Sequence, residues 1–367
     1  MLTLAAISFA ISVSLCLLLI LIGKERARLY AKEMPQRFHK GHVPRMGGLA
    51  MAAGCLGAWC LGAASLHLGL SINVPLQWRD ALLWLVVLAP TVLAGVLEDY
   101  TLRIGVRWRL LASALCGVLG CTLMGLSVQR LGLPFIESWW QMMPWLGVTL
   151  AFVAIAGLPH AFNIIDGYNG LAGIVAVLVC GAIAHVALQL GDRSLAAILV
   201  AVVGATLGFL YWNYPRGLIF AGDGGAYLWG GVIAIACITL VQRHAAVSPW
   251  FAMLLLIYPV WETLFSIYRK WVRGTSPGMA DSLHFHQLVY KRIVRSVFHD
   301  NETRRMLMRN NRTSPYLWVF TALTVLPALL FRNNTLMLML FCALFVVSYV
   351  SAYLMIVRFK VPRWIRR

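Results

Sequence analysis

Apolar runs of about 20 residues recur from one end of this chain to the other, each long enough to cross about 30 Å of hydrocarbon as a helix. Hydrocarbon offers backbone groups no hydrogen-bond partner, so such a chain has two solutions, helices or a closed barrel. A barrel needs shorter segments of alternating polarity, and these are absent. Hydrophobic residues make up 60% of the chain and charged residues only 12%, with a mean hydropathy of +0.78. The expected fold class is an all-α polytopic integral membrane protein. Spans are predicted near 2–23, 46–68, 79–97, 107–127, 143–161, 170–190, 194–212, 225–242, 248–268, 315–331 and 334–357. Residues 1–367 are expected to form a single membrane-embedded domain.

The first run, Leu2 to Gly23, has no basic segment before it and no A-x-A-like cleavage site, so it is read as a retained helix. All eight cysteines lie within apolar spans without a C-x-x-C pair, which favours packing over zinc or redox chemistry. Eleven spans put the termini on opposite sides. The segments 24–45, 98–109, 213–217, 269–314 and 358–367 then share one side, and they hold all but five of the 31 Lys and Arg. The exceptions are Arg79, Arg130, Arg193, Arg243 and Arg332. The positive-inside rule makes the basic side cytoplasmic. A formal charge of +18 could suggest nucleic acid, but the cations are scattered over short loops without a recognition motif, and anionic lipid head groups account for them better. In the loop 269–314, Leu288, Val289, Ile293, Val294, Val297 and Phe298 alternate with Lys291, Arg292 and Arg295, a pattern suited to an interfacial amphipathic helix.

Five carboxylates, Glu98, Asp99, Asp166, Asp223 and Asp281, fall at the ends of apolar spans on this basic side, in a chain with only 13 Asp and Glu. Each sits in a polar cluster. Residues 37–48 read R-F-H-K-G-H-V-P-R-M-G-G, where His39 and Arg45 precede a helix start whose free N–H groups favour an anion; a plain positive-inside loop would look similar. Glu98-Asp99 closes the third span, and adjacent acids at a membrane interface need a cation or an ion pair, for which Arg103, Arg107 and Arg109 are at hand. Between Phe162 and Ala172, Asn163, Asp166, Gly167, Asn169 and Gly170 interrupt a long apolar stretch, as backbone lining a polar cavity does. Phe220-Ala-Gly-Asp223-Gly-Gly opens the eighth span, where Asp223 suits either a Mg²⁺ ligand or a helix cap. His284 and His286, behind Asp281, suit phosphate contact or solvation.

The order H-x-x-x-x-P-R-x-G-G, an acidic pair, N-x-x-D-G-x-N-G-L-A, G-D-G-G and D-x-x-H-x-H resembles the polyprenyl-phosphate N-acetylhexosamine-1-phosphate transferase family over about residues 30 to 290. The resemblance implies Mg²⁺-dependent transfer (Mn²⁺ being the alternative ion) of a sugar-1-phosphate from a UDP-N-acetylhexosamine or related UDP-sugar to undecaprenyl phosphate. UMP is released, and synthesis of O-antigen or another cell-envelope polysaccharide begins. It implies Asp223 and Asp166 at the metal, Asp99 at the lipid phosphate as partner or base, and Asn163, Asn169 and Asp166 shaping the nucleotide pocket. Phe220 would stack on uracil, and His39, Arg45, His284 and His286 would bind substrate phosphates. The implied setting is a bacterial inner membrane with the site facing the cytoplasm; the partners are the bilayer, both substrates and a second copy in a homodimer, and not nucleic acid. Three departures stand out: Glu98 replaces the first Asp of the family's pair, Asn169 replaces an Asp, and the histidine loop has Ser282 for Arg and Gln287 for its last His. The rivals are a secondary transporter, whose acids should lie near the bilayer midplane, and a non-catalytic scaffold of a glycan assembly complex.

Overall fold

A computed structural model describes residues 1–23, 43–65, 76–274, 283–297 and 299–358. Among the described residues there are helices and no strands. Eleven helices are long and apolar enough to cross a membrane: α1 (Leu2–Gly23), α2 (Gly47–Ser65), α3 (Trp78–Thr101), α4 (Val106–Leu123), α6 (Pro144–Ile165), α7 (Leu171–Gln189), α8 (Arg193–Asn213), α9 (Gly222–Arg243), α10 (Pro249–Val272), α12 (Glu302–Leu330) and α13 (Thr335–Val357). The chain is a polytopic α-helical membrane protein, as its apolar runs demand. Two shorter elements, α5 (Pro134–Met142) and α11 (Phe285–Leu288), lie at opposite ends of the bundle.

The bundle is built around α9, in which every residue from Gly222 to Leu240 is buried. Helices α2, α3, α6 and α7 pack against it, while α1 packs on α2 and α8. Hydrocarbon solvates an apolar side chain as well as a neighbouring helix does, so helices in a membrane associate by close packing, which small residues permit. Gly95 of α3 shows the consequence: a Cβ there would stand 2.6 Å from the Gly224 nitrogen. The outer helices turn Leu93, Leu111, Val153, Leu326 and Leu344 outward, the belt expected to face lipid.

Several helices run past the apolar segments at the basic end. α3 continues through Glu98 and Asp99 to Thr101, and α9 already begins at Gly222, so these acids sit on helical turns. The loop expected over 269–314 is shorter than its sequence suggests. Residues 302–314 belong to α12, which Asn301 caps by accepting the Arg304 N–H at 3.1 Å, and Pro315 lies inside that helix instead of starting it. The segment expected to lie in the interface forms α11 and two further short turns, with Leu288, Val289, Ile293, Val294 and Val297 buried in protein. Its apolar face is covered by neighbours that include α12 and α13. The short α5 was not foreseen; with Phe135, Trp139 and Met142 exposed, it lies at the end opposite the acids.

Candidate active site

A backbone clasp joins the two glycine-rich helix starts at the basic end. Phe220 N–H donates to Pro44 C=O at 2.9 Å, Gly47 N–H to Phe220 C=O at 2.9 Å, and Gly48 N–H to Ala221 C=O at 2.8 Å. It spends free N–H groups of α2 on the chain that leads into α9 and holds Arg45 beside the first turn of α9. Gly222 then turns with φ +71°, in the left-handed region. A Cβ at Gly222 would collide with the Asp99 carboxylate and the Arg45 carbonyl.

Asp99, buried in α3, uses both oxygens on that turn. It accepts the Asp223 N–H at 2.9 Å and the Gly224 N–H at 2.8 Å. It therefore caps α9 from a neighbouring helix, satisfying two donors that no helical carbonyl can reach. Asp223, also buried, accepts from Arg109 on one oxygen, while the other receives the Asn163 amide at 3.3 Å and lies 3.5 Å from Arg45. Arg45 lies 4.0 Å from Asp99 as well. One carboxylate thus meets two guanidinium groups and an amide at the end of the most buried helix.

Asp166 ends α6, interacts electrostatically with Arg45 and Asp223, and has no hydrogen-bond or ion-pair partner among the described residues. Removal from water pushes its carboxyl up to about 7; the Arg45 guanidinium works against that rise and the Asp223 carboxylate adds to it. His286 covers the next residue: a Cβ on Gly167 would stand 3.0 Å from its Nε2, and its ring meets Tyr168 edge-on with centroids 5.6 Å apart. His284 stacks on His286 at 5.4 Å. Of the predicted site residues, Arg45, Asp99, Asn163, Asp166 and Asp223 are brought into one group, with His286 at its edge. Phe220 is half-buried and contributes its backbone to the clasp. His39 and Asp281 lie outside the described residues.

Asn169 has a different setting. It is buried, its N–H donates to Asn310 Oδ1 at 2.8 Å, its amide donates to Asn311 Oδ1 at 2.9 Å, and its carbonyl accepts from Ser314 at 2.6 Å. It ties the 163–172 segment to α12. An aspartate has no hydrogen to give Asn311, so the departure at 169 matches its partner. Gln287 likewise serves the fold, its Oε1 accepting the His284 N–H at 3.3 Å. Glu98 accepts the Ile104 N–H at 2.6 Å and closes the turn between α3 and α4.

Three residues at the site escaped the sequence reading: Arg109 as the partner of Asp223, His160 and Tyr227. His160 lies 2.9 Å from Ser113 Oγ and meets the Tyr227 ring edge-on at 5.1 Å. Arg109 had a sequence signal. Ser113, Cys116, Gly117 and Gly120 mark the inward face of α4, and Arg109 lies one turn before Ser113 on that face.

A divalent cation fits this donor set. Hard oxygen ligands from one or two carboxylates, completed by substrate phosphate oxygens, are what Mg²⁺ takes. Asp166 offers a carboxylate without a hydrogen-bond or ion-pair partner among the described residues, and Asp223 one that already faces cations. Among the described residues no group of three or more His, Cys, Asp or Glu is gathered to enclose a metal by itself.

The family model "Glycosyl transferase family 4" matches residues 81–241, which contain Asp99, Asn163, Asp166 and Asp223. A "Probable undecaprenyl-phosphate N-acetylglucosaminyl 1-phosphate transferase" of Bacillus subtilis (strain 168) is 26% identical over 285 residues, covering 76% of this chain and 75% of that protein. The chain is thus similar to this family over the segment that carries these four residues. Enzymes named undecaprenyl-phosphate alpha-N-acetylglucosaminyl 1-phosphate transferase align as well. That of Yersinia pestis is 26% identical over 69% of this chain and 67% of its own length. That of Escherichia coli (strain K12) is 28% identical over 69% of this chain, which spans just under two thirds, 66%, of that relative.

Proposed function

We propose that this protein transfers an N-acetylhexosamine 1-phosphate from a UDP-sugar to undecaprenyl phosphate. The products would be undecaprenyl-pyrophosphoryl-sugar and UMP, and the step would begin a lipid-linked cell-envelope polysaccharide such as O-antigen. The observation that carries the reading is Asp223 at the start of α9, beside Arg45, Arg109 and Asn163 and in the field of Asp166. A lipid phosphate lies at the interface and a nucleotide sugar in the cytosol, so a cytoplasmic site at the ends of helices is where both can meet. The acids of this group sit at helix ends, away from the midplane where a transporter would bind.

In this reading an oxygen of the acceptor phosphate forms a bond to the sugar-linked phosphorus of the donor. The bond from that phosphorus to the UMP oxygen breaks, and UMP leaves with the electron pair. A phosphate monoester has a second pKa of about 6, so the nucleophile is already ionised near neutrality and needs no protein base. The protein's task is to bring two anions together and stabilise the charge on the leaving group. Arg45 and Arg109 supply fixed positive charge, and Asn163 orients Asp223. Asp223 and Asp166 would hold Mg²⁺ (or Mn²⁺), which when bound neutralises phosphate charge. Asp99 positions Asp223 by fixing the turn that bears it, Phe220 offers an aromatic face for uracil, and His39, His284 and His286 contact phosphates. Residues 1–367 would work as one domain in the inner membrane, with the homodimer as the expected assembly.

The test is purified Asp223→Asn given UDP-N-acetylglucosamine, undecaprenyl phosphate and Mg²⁺. UMP release should fall by at least roughly a hundredfold, the scale of losing one preorganised charge contact, while the variant stays folded in detergent. Near-normal turnover would remove Asp223 from the reaction.

A further inference from the structure

Glu262 is an acid that the proposed reaction does not use, and it is fully buried midway along α10. A carboxylate at such a depth is expensive unless several donors meet it. Three do. Tyr349 of α13 donates its hydroxyl at 2.6 Å, Phe285 its N–H at 3.2 Å, and His284 Nδ1 lies 2.9 Å from Oε1. A carboxylate can only accept, so the ring proton belongs on Nδ1; the Gln287 N–H, which also points at this ring at the start of α11, is the weaker claimant. The bond fixes the plane and tautomer of the ring and leaves Nε2 as its second functional atom, the relation by which carboxylates orient working histidines. The effect passes onward. His284 and His286 are stacked almost parallel, at 6°, and His286 lies against Gly167, next to Asp166.

We propose that Glu262 is a positioning residue for donor binding: it holds the His284–His286 pair as a preoriented wall for the diphosphate of a nucleotide sugar. The assignment rests on the functional reading above. It is distinct from helix packing alone, because a packing role would not be exerted through one imidazole.

The experiment is a double-mutant cycle on the full-length protein in detergent, with Glu262→Gln, His284→Asn and the pair, reading UDP affinity by calorimetry and the unfolding midpoint. Glu262→Gln keeps the length of the side chain but puts an NH₂ donor in place of one acceptor oxygen, and His284→Asn removes the ring with its Nε2. Each single variant should weaken UDP binding about tenfold, and the pair should also lose about tenfold, because the second change removes a contact already lost. In turnover assays Glu262→Gln should raise KM for the UDP-sugar and leave KM for undecaprenyl phosphate unchanged, and Glu262→Asp should recover most of the loss. A hundredfold additive loss in the pair, or unchanged UDP affinity in Glu262→Gln, would overturn the proposal. If Glu262→Gln fails to fold, Glu262→Met, of similar length and without an acceptor for the ring, replaces it in the cycle under the same criterion. Wild-type protein that binds UDP but releases no UMP from any UDP-sugar would sink the transfer reading, with Glu262 still decided by the cycle. Wild-type protein that binds no UDP would overturn both.

Discussion

Replacing Asp99 separates a structural cap from a chemical base. Its two oxygens accept the N–H groups of Asp223 and Gly224 at 2.9 and 2.8 Å, and all three residues are buried. In Asp99→Ala both donors lose their acceptor. A buried N–H left unsatisfied costs about 1–3 kcal/mol, so the variant should be less stable by roughly 2–6 kcal/mol. Asp99→Asn keeps one acceptor oxygen and turns an NH₂ toward the other donor, so roughly half that loss is expected. Denaturant titration in detergent measures both, and amide hydrogen exchange should show faster exchange at Asp223 and Gly224 in the Ala variant. Turnover of Asp99→Asn should fall by about ten- to a hundredfold, as 1–3 kcal/mol of lost positioning allows, with an unchanged pH profile. Native stability and exchange in Asp99→Ala would refute the cap. Complete loss of turnover in a natively stable Asp99→Asn would instead restore Asp99 as the base.

Other perturbations probe neighbouring parts of the account. Gly95→Ala would set a methyl 2.6 Å from the Gly224 nitrogen, and the forced separation of α3 from α9 should cost about 1–3 kcal/mol and lower turnover; an unchanged unfolding midpoint would contradict that packing. Glu98→Ala removes only the acceptor for Ile104 N–H, so about 1 kcal/mol of stability should go while turnover stays within about twofold, in contrast to Asp99. The Asp166 carboxyl, lifted to about 7, must lose its proton to bind a cation. Half-saturation by Mg²⁺ should therefore rise roughly tenfold between pH 8 and pH 6, and a flat profile would remove Asp166 from the metal. The same shift predicts that without metal the stability contribution of neutral Asp166 is present below the ordinary carboxyl range and lost as pH rises through about 7.

Much of this architecture was legible in the sequence because hydrocarbon leaves the backbone so little choice. The eleven spans follow from run length, and Asp99, Asp166 and Asp223 stand out because acids are rare and clustered. Helix ends were harder to read, since α3, α9 and α12 continue through polar residues where hydropathy stops. Those extensions put Asp99 opposite the first turn of α9 and carry Asn310, Asn311 and Ser314 to Asn169. The buried setting of 285–297 was not visible either, because an amphipathic stripe looks the same whether lipid or protein covers it. Partner choice was least legible. The arginines after Glu98-Asp99 appeared to neutralise that pair, yet Arg109 turns to Asp223, which is 114 residues further along the chain. Glu262 is legible as an acid well inside a span that needs a polar partner, but its contact with His284 could not be read without knowing which helices adjoin.

The central claim is tested most directly by incubating the purified wild-type protein with undecaprenyl phosphate, Mg²⁺ and a panel of labelled UDP-sugars headed by UDP-N-acetylglucosamine. Equimolar UMP and a pyrophosphate-linked lipid carrying the sugar are the predicted products from at least one UDP-N-acetylhexosamine or its 6-deoxy relative. Absence of UMP with every donor, or movement of a solute across vesicles without any lipid product, would contradict the account.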